Sequence, residues 1–197
     1  MFKHHWPAVG TAIAFGLFFA AAAAYPGGTL QSTTTVGYRW TENFICALFA
    51  QNALNGEANP ARQFAIPAMW LLCLCLGTVY WRISRRATTR LHRSAIEIGG
   101  PGAMAYAAFV MTPIHDLVVH IGLVFGLVAL LMTTHMLYSQ GRRWLAAWGG
   151  LCLAQLLLSA TLYYSGRLDG VLALQQKIDW LMLVGWLFAI HYSKTRQ

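Results

Sequence analysis

Two ionisable side chains four residues apart form the most chemically suggestive motif in the sequence. Asp116 and His120 are separated by the apolar triplet 117–119. On an α-helix this spacing places both side chains on one face. A carboxylate that holds an imidazole can orient a general base or a metal ligand. The motif therefore predicts Asp116 and His120 as catalytic residues. The alternative is a helix capped by Asp116, with His120 paired to a neighbouring helix.

A third candidate, Asp179, lies near the start of the last apolar segment, four residues after Gln175. If that segment enters the membrane at the same depth as Asp116, Asp179 completes a catalytic cluster and Gln175 contributes to ligand binding. The alternative is a solvated helix end from which Lys177 extends toward the surface. Gln155 and Ser159, one turn apart in the preceding segment, are predicted to join helices by hydrogen bonds.

A long polar loop supplies the remaining candidates. Residues 41–54 show helical periodicity, and the segment should end at the turn-forming pair Asn55-Gly56. We predict an amphipathic helix there that covers the site as a lid. It would contribute Glu42, Asn43 and Gln51 to ligand binding. Its apolar face would consist of Phe44, Ile45, Leu48 and Phe49.

The histidines allow the interpretation that the protein binds haem or a metal, and the sequence identifies no cofactor. A zinc site needs about three ligands, whereas His115 and His120 are separated by about 140° around a helix. A b-type haem needs facing histidines, for which His135 and His191 are the candidates, and His120 lies about 22 Å from His135 along one helix. We therefore assign no metal ligands. The cysteines lack the spacing of a redox or zinc motif and are predicted to be buried and free: Cys46, Cys73, Cys75 and Cys152.

The elements that must position these residues are membrane helices. Of the 197 residues, 57% are apolar and 10% are charged, and the mean hydropathy is +0.50. The sequence predicts a single all-α transmembrane domain (1–197), a six-helix bundle with an outer loop at 26–62. The first helix exceeds the apolar core of a signal peptide, about 7–15 residues, and is predicted to remain uncleaved. The predicted spans are 6–25, 63–82, 95–112, 115–138, 143–164 and 172–192, the last starting either at Leu172 or only at Ile178.

The charges predict the orientation. Ten Lys and Arg residues flank one set of helix ends, and four flank the other. Lys and Arg residues of membrane proteins concentrate in the cytoplasmic loops, so both termini are predicted to be cytoplasmic. The predicted location is a bacterial inner (plasma) membrane. The same clustering excludes a nucleic-acid-binding face despite the net charge of +8. The larger group is Lys3, Arg82, Arg85, Arg86, Arg90, Arg93, Arg142, Arg143, Lys194 and Arg196; the smaller is Arg39, Arg62, Arg167 and Lys177.

Several stretches resemble an uncharacterised family of small six-helix bacterial membrane proteins, placed near the Frag/DRAM/Sfk group. They are 38–46, 52–60, 112–120, 122–125 and 176–178. The resemblance implies a six-helix bundle and no established activity. Distant relatives of the group are linked to lipid-anchor remodelling and membrane stress. Membrane zinc hydrolases have been compared with such folds, but this sequence lacks their full set of His and Ser residues, which leaves enzymatic activity open.

These observations predict a small integral membrane protein that binds or processes a lipid-like ligand at the extracytoplasmic leaflet. The expected partners are a membrane lipid and a possible membrane-protein partner, without nucleic acid. One alternative is a non-enzymatic assembly or scaffold subunit of a membrane complex. The other is a haem or metal protein that uses the intramembrane histidines.

Overall fold

The computed structural model describes residues 2–112, 114–166 and 170–193, without the side chains of Phe2, Lys3 and His115. Within these ranges the regular secondary structure is helical, and only two isolated β-bridges occur, Gly27–Val36 and Asn52–Ala58. The elements are α1 (Phe2–Ala24), the 3-10 turn η1 (Ile45–Phe49), α2 (Arg62–Ser84), α3 (Arg90–Ala107), α4 (His115–Ser139), α5 (Arg143–Tyr164) and α6 (Gly170–Tyr192).

Five of these helices are long and apolar enough to cross a membrane. They are α1, α2, α4, α5 and α6, each with at least 21 residues in its apolar span. Helix α3 does not meet the same description, because its 18 residues include the charged side chains Arg90, Arg93 and Glu97 in the first half. The all-helical class is thus confirmed and five helices are suited to spanning a membrane, whereas the structure does not establish a sixth span.

The helices α2 to α6 form a closed ring, and α1 lies outside it. Each helix of the ring packs against the next in chain order, and α6 closes the ring by packing against α2. Helix α1 packs mainly on α2. It also reaches α6, through a contact between the rings of Phe18 and Trp180. The space enclosed by the ring is where a ligand can be held.

Helix α3 fits into the ring because glycines remove side chains at its two contacts. A Cβ on Gly100 would lie 2.2 Å from Cγ of Tyr80 on α2. A Cβ on Gly99 would lie 2.9 Å from the carbonyl oxygen of Phe125 on α4. Small residues allow helix backbones to approach closely in this way. The glycines in the middle of α3, which weaken an isolated helix, therefore make its packing possible.

Most predicted boundaries agree with the helices, but α3 is displaced. It was expected at 95–112 and is observed at Arg90–Ala107. The Thr89 side chain accepts a hydrogen bond from the backbone N–H of His92, which caps the helix and starts it earlier. Helix α6 starts at Gly170, earlier than either predicted start.

The predicted amphipathic helix over 41–54 is wrong. Only Ile45–Phe49 forms a short 3-10 turn. The Asn43 side chain accepts from the N–H of Arg39 and donates to the carbonyl of Gly28, which favours a loop over a helix. Beyond η1, the Asn59 Nδ2 donates to the carbonyls of Ala47 and Ala50. Side chains thus occupy backbone groups that a continuous helix would use itself.

One end of the bundle, here called the terminal end, joins the start of α1 to the ends of α2 and α6. The Arg86 guanidinium donates to the carbonyls of Ile190 at 2.6 Å and His191 at 2.7 Å. Arg82 donates to the carbonyl of His4 at 3.0 Å, and the His4 ring stacks on that of His191. The last carbonyls of a helix have no partner within it, so Arg86 satisfies those of α6.

The opposite end, here called the loop end, carries the loop between α1 and α2. The described members of the larger positive group cluster near the terminal end, and Arg39, Arg62 and Lys177 lie toward the loop end. Arg167, Lys194 and Arg196, which the orientation prediction also uses, lie outside the described residues, as does the Lys3 side chain.

Candidate functional site

A cavity of about 500 Å³ lies inside the ring of helices. Its wall is formed by α2 to α6, and η1 closes it at the loop end. This volume is within the range of small-ligand sites, about 300–1,000 Å³. Most of the wall is apolar. The polar residues in it, apart from tyrosines, are Asp116, His120, Gln155, Ser159, Gln176 and Asp179.

Asp179 lies at the centre of a hydrogen-bonded group between α5 and α6. The Ser159 hydroxyl donates to one carboxylate oxygen of Asp179, and Gln175 Nε2 donates to the other at 3.0 Å. Gln175 Nε2 also donates to Gln155 Oε1 at 2.9 Å. The prediction that Gln155 and Ser159 join helices is confirmed. A carboxylate has about four acceptor positions, so these two donors leave Asp179 able to accept further hydrogen bonds from a ligand.

His120 lies in the same cavity wall but in a different group. Its Nδ1 is 2.6 Å from the backbone carbonyl oxygen of Asp116, and its Nε2 is 3.0 Å from the Tyr164 hydroxyl. Because a carbonyl only accepts, Nδ1 carries a proton and donates; in the neutral imidazole the hydroxyl then donates to Nε2. The pairing expected between Asp116 and His120 is therefore made through the Asp116 backbone.

The two groups lie at different depths. His120 is bonded to Tyr164 at the end of α5, whereas Asp179 is bonded to Ser159, five residues earlier on that helix. At 1.5 Å per residue this separation is about 8 Å along the axis. The structure thus places all three predicted catalytic residues on one cavity wall, but as two groups instead of the single cluster expected.

The cavity reaches the surface near the start of α4 and the end of α5. His120 and Tyr164 both line the cavity and are exposed, and so is Asp116. They therefore form its rim. Asp179, Ser159 and Gln155 are only partly exposed and lie further inside. A ligand entering at this rim meets the His120 group first and the Asp179 group second.

The loop segment that closes the cavity is held by two neighbouring residues of α6. Gln176 Oε1 accepts from the N–H of Ile45 at 2.9 Å. Lys177 Nζ donates to the carbonyls of Asn43 at 2.6 Å and Ala173 at 2.8 Å. Lys177 is only 9% exposed, so the alternative of a solvated helix end with an extended Lys177 is wrong. These bonds fix η1 over the cavity.

Cys46 belongs to the apolar wall next to this anchor. It lies between the central cavity and a second cavity near the loop, and lines both. Burial raises the pKa of the Cys46 thiol, which keeps it protonated and unreactive at neutral pH. All four cysteines are free, and Cys73, Cys75 and Cys152 are buried, as the sequence predicts.

The other predicted ligand-binding residues do not share one site. Glu42 and Asn43 line the second cavity, of about 380 Å³, above η1. Asn43 is buried and its side chain is bonded within the loop, so its role is structural. Gln51 is exposed and lines neither cavity. Gln175 acts indirectly, by orienting Asp179.

The histidines proposed for haem lie in separate groups. His135 Nδ1 is 2.8 Å from His92 Nε2, and His191 packs against His4. Among the described residues, no group of three or more His, Cys, Asp or Glu side chains is placed to hold a metal ion. The His115 side chain, considered for zinc, lies outside the described part.

Comparisons with protein-family models, with curated proteins and with solved structures gave no match for this chain. The interpretation of the site therefore depends on its geometry.

Sequence reasoning missed two contributors to the site, Tyr164 and Gln176. Tyr164 was visible only as an aromatic residue at a helix end, and its bond to His120 depends on how α4 and α5 pack. Gln176 follows Gln175 directly, and spacing alone does not show that one faces Asp179 and the other faces the loop.

Proposed function

We propose that the protein is a six-span protein of a bacterial inner membrane, with both termini in the cytoplasm and the loop end outside. Support comes from the position of α3 in the ring, where it packs between two apolar helices, α2 and α4. A helix in that position runs beside two spans over its whole length. The excess of positive residues at the terminal end supports the orientation.

This topology predicts opposite labelling of two exposed loop positions. Thr33 lies in the loop between α1 and α2, and Thr88 lies between α2 and α3. In a Cys46→Ala background, Thr33→Cys should react with a membrane-impermeant maleimide in intact spheroplasts. Thr88→Cys should react only after the cells are lysed. Labelling of Thr88→Cys in intact spheroplasts would reject the orientation.

We further propose that the central cavity binds a lipid-like amphiphile from the extracytoplasmic leaflet. The observation that supports this best is an apolar cavity that carries its polar groups toward the loop end and reaches the surface near the start of α4 and the end of α5. An apolar tail fits the part lined by Leu127, Leu130 and Cys152. The polar head fits between His120 and Asp179, whose side chains orient it. The proposal is binding, and no chemical step is included.

Filling the cavity should remove the ligand. Ala160 lines the cavity on α5, whereas Ala154 on the same helix is exposed. Native mass spectrometry of protein purified in mild detergent should show one bound lipid for the natural chain and for Ala154→Phe. Ala160→Phe should lose at least about 90% of it, since a bulky ring competes directly for the space.

The result against the proposal is equally direct. If Ala160→Phe keeps its lipid while its melting temperature matches that of Ala154→Phe, the lipid is bound elsewhere. If the natural chain carries no lipid and co-purifies with a stoichiometric membrane protein, the result would instead support the scaffold-subunit alternative. A mass excess equal to haem would support the histidine alternative.

A further inference from the structure

Among the described residues of the cavity wall, the Asp, Glu, Lys and Arg side chains are all acidic. Asp116 and Asp179 are its acidic members, and none of its described residues is Lys or Arg. An anionic head placed in this cavity would lose its water and meet no Lys or Arg among the described residues of the wall. Burying such a charge without a partner is strongly unfavourable.

Lys177 is the cation that comes nearest in sequence, two residues before Asp179, and it is already engaged. It does not line the cavity. Its ammonium donates to two backbone carbonyls and lies 5.7 Å from the centre of the Tyr38 ring. Using it to bind a ligand would break the contact that holds the loop segment over the cavity.

Two polar groups of the wall can accept further hydrogen bonds from a ligand. The Asp179 carboxylate has two donors, Ser159 and Gln175, and keeps acceptor capacity. The Tyr164 hydroxyl donates to His120 and can itself accept through its oxygen. These two acceptors lie about 8 Å apart in depth. A head with donors at both ends of that distance would satisfy them together.

Building on the proposed binding function, we infer that the ligand is an amphiphile whose head donates hydrogen bonds through hydroxyl or amino groups and carries no phosphate. The Asp179 carboxylate receives one donor of the head, and the rim formed by His120 and Tyr164 receives another. The tail occupies the deeper apolar part of the cavity. Single-chain alcohols and amines share this chemistry, and Asp179 distinguishes between them because only an ammonium gains from its charge.

Fluorescence quenching can test the selectivity of the natural chain. Trp180 lines the cavity. Three amphiphiles with the same brominated chain should be compared in nanodiscs: a primary alcohol, a primary amine and a phosphate monoester. The alcohol and the amine should quench saturably, and the phosphate should bind at least about tenfold more weakly. The saturable part should disappear in Trp180→Phe. It should persist in Trp144→Phe, which removes an exposed tryptophan on α5.

The variant Asp179→Asn separates the two donor heads. Asn keeps the size and one acceptor oxygen but removes the charge. Affinity for the amine should fall about tenfold, and affinity for the alcohol should change less than about threefold. Equal or stronger quenching by the phosphate would overturn the inference on the head while leaving the cavity as a lipid site. Absence of Trp180-dependent quenching by all three would overturn the binding function itself.

Discussion

Replacing Arg86 with Met is expected to lower the free energy of unfolding by about 3 kcal/mol, since hydrogen bonds to a charged group contribute about 1.5–3 kcal/mol each. Two short bonds are lost, to the carbonyls of Ile190 and His191 at the end of α6. Burial lowers the pKa of Arg86, which indicates how far the guanidinium is removed from water. Unfolding in mixed micelles with increasing SDS measures the effect.

Arg85 provides the matched control for Arg86. Its side chain is 46% exposed and lies 3.7 Å from Glu97 and 4.9 Å from the Trp81 ring centre. Exposed pairs of this kind contribute at most about 1 kcal/mol, so Arg85→Met should change stability little. If both variants lose the same free energy of unfolding, Arg86 contributes only its charge at the terminal end and does not cap α6.

Replacing Lys177 with Met should release the loop segment over the cavity. The variant keeps most of the apolar stem but removes the ammonium that donates to the carbonyl of Asn43. The expected loss is about 2–3 kcal/mol. Hydrogen–deuterium exchange should rise in residues 39–49 and stay unchanged in α2. Lipid retention should fall as well, because Phe44, Ile45 and Cys46 form part of the cavity wall.

Leu174→Met, one turn earlier on α6, serves as the control, because Leu174 is exposed and far less constrained. It should leave both exchange and lipid binding unchanged. If Lys177→Met also leaves exchange in 39–49 unchanged, the bond from Ile45 to Gln176 alone is sufficient to hold the segment, and Lys177 is not an anchor.

The apolar helices were predictable from the sequence because each depends on local composition. The predicted span 143–164 coincides with α5, and 115–138 ends one residue before α4 does. Helix α3 was misplaced because its start depends on the side-chain cap of Thr89, which hydropathy does not detect. The loop helix failed for a related reason. Asn43 and Asn59 bond to backbone groups that are distant in sequence, and periodicity contains no information about such partners.

The site was predictable only in part. Spacing to His120 and to Gln175 identified Asp116 and Asp179, and the structure places both on one cavity. The contact between His120 and the backbone of Asp116 depends on the rotation and depth of neighbouring helices. The same is true of the contact between Asp179 and Ser159 on α5. Hydrophobic patterning fixes the existence of those helices but not their rotation. The roles predicted for Glu42 and Gln51 depended on a helix that does not form.

The contacts of the terminal end also determine when the protein can be completed during synthesis. Arg86 bonds to Ile190, 104 residues later in the chain, and His4 meets the ring nitrogen of His191 across 187 residues. Because chains are made from the N-terminus, α1 and α2 enter the membrane long before these partners exist. Until α6 has been synthesised, the Arg86 guanidinium at the end of α2 lacks the carbonyl groups to which it donates in the folded protein. Closure of the ring therefore cannot precede the synthesis of α6, and until then the Arg86 guanidinium bonds to water in place of the carbonyls of α6.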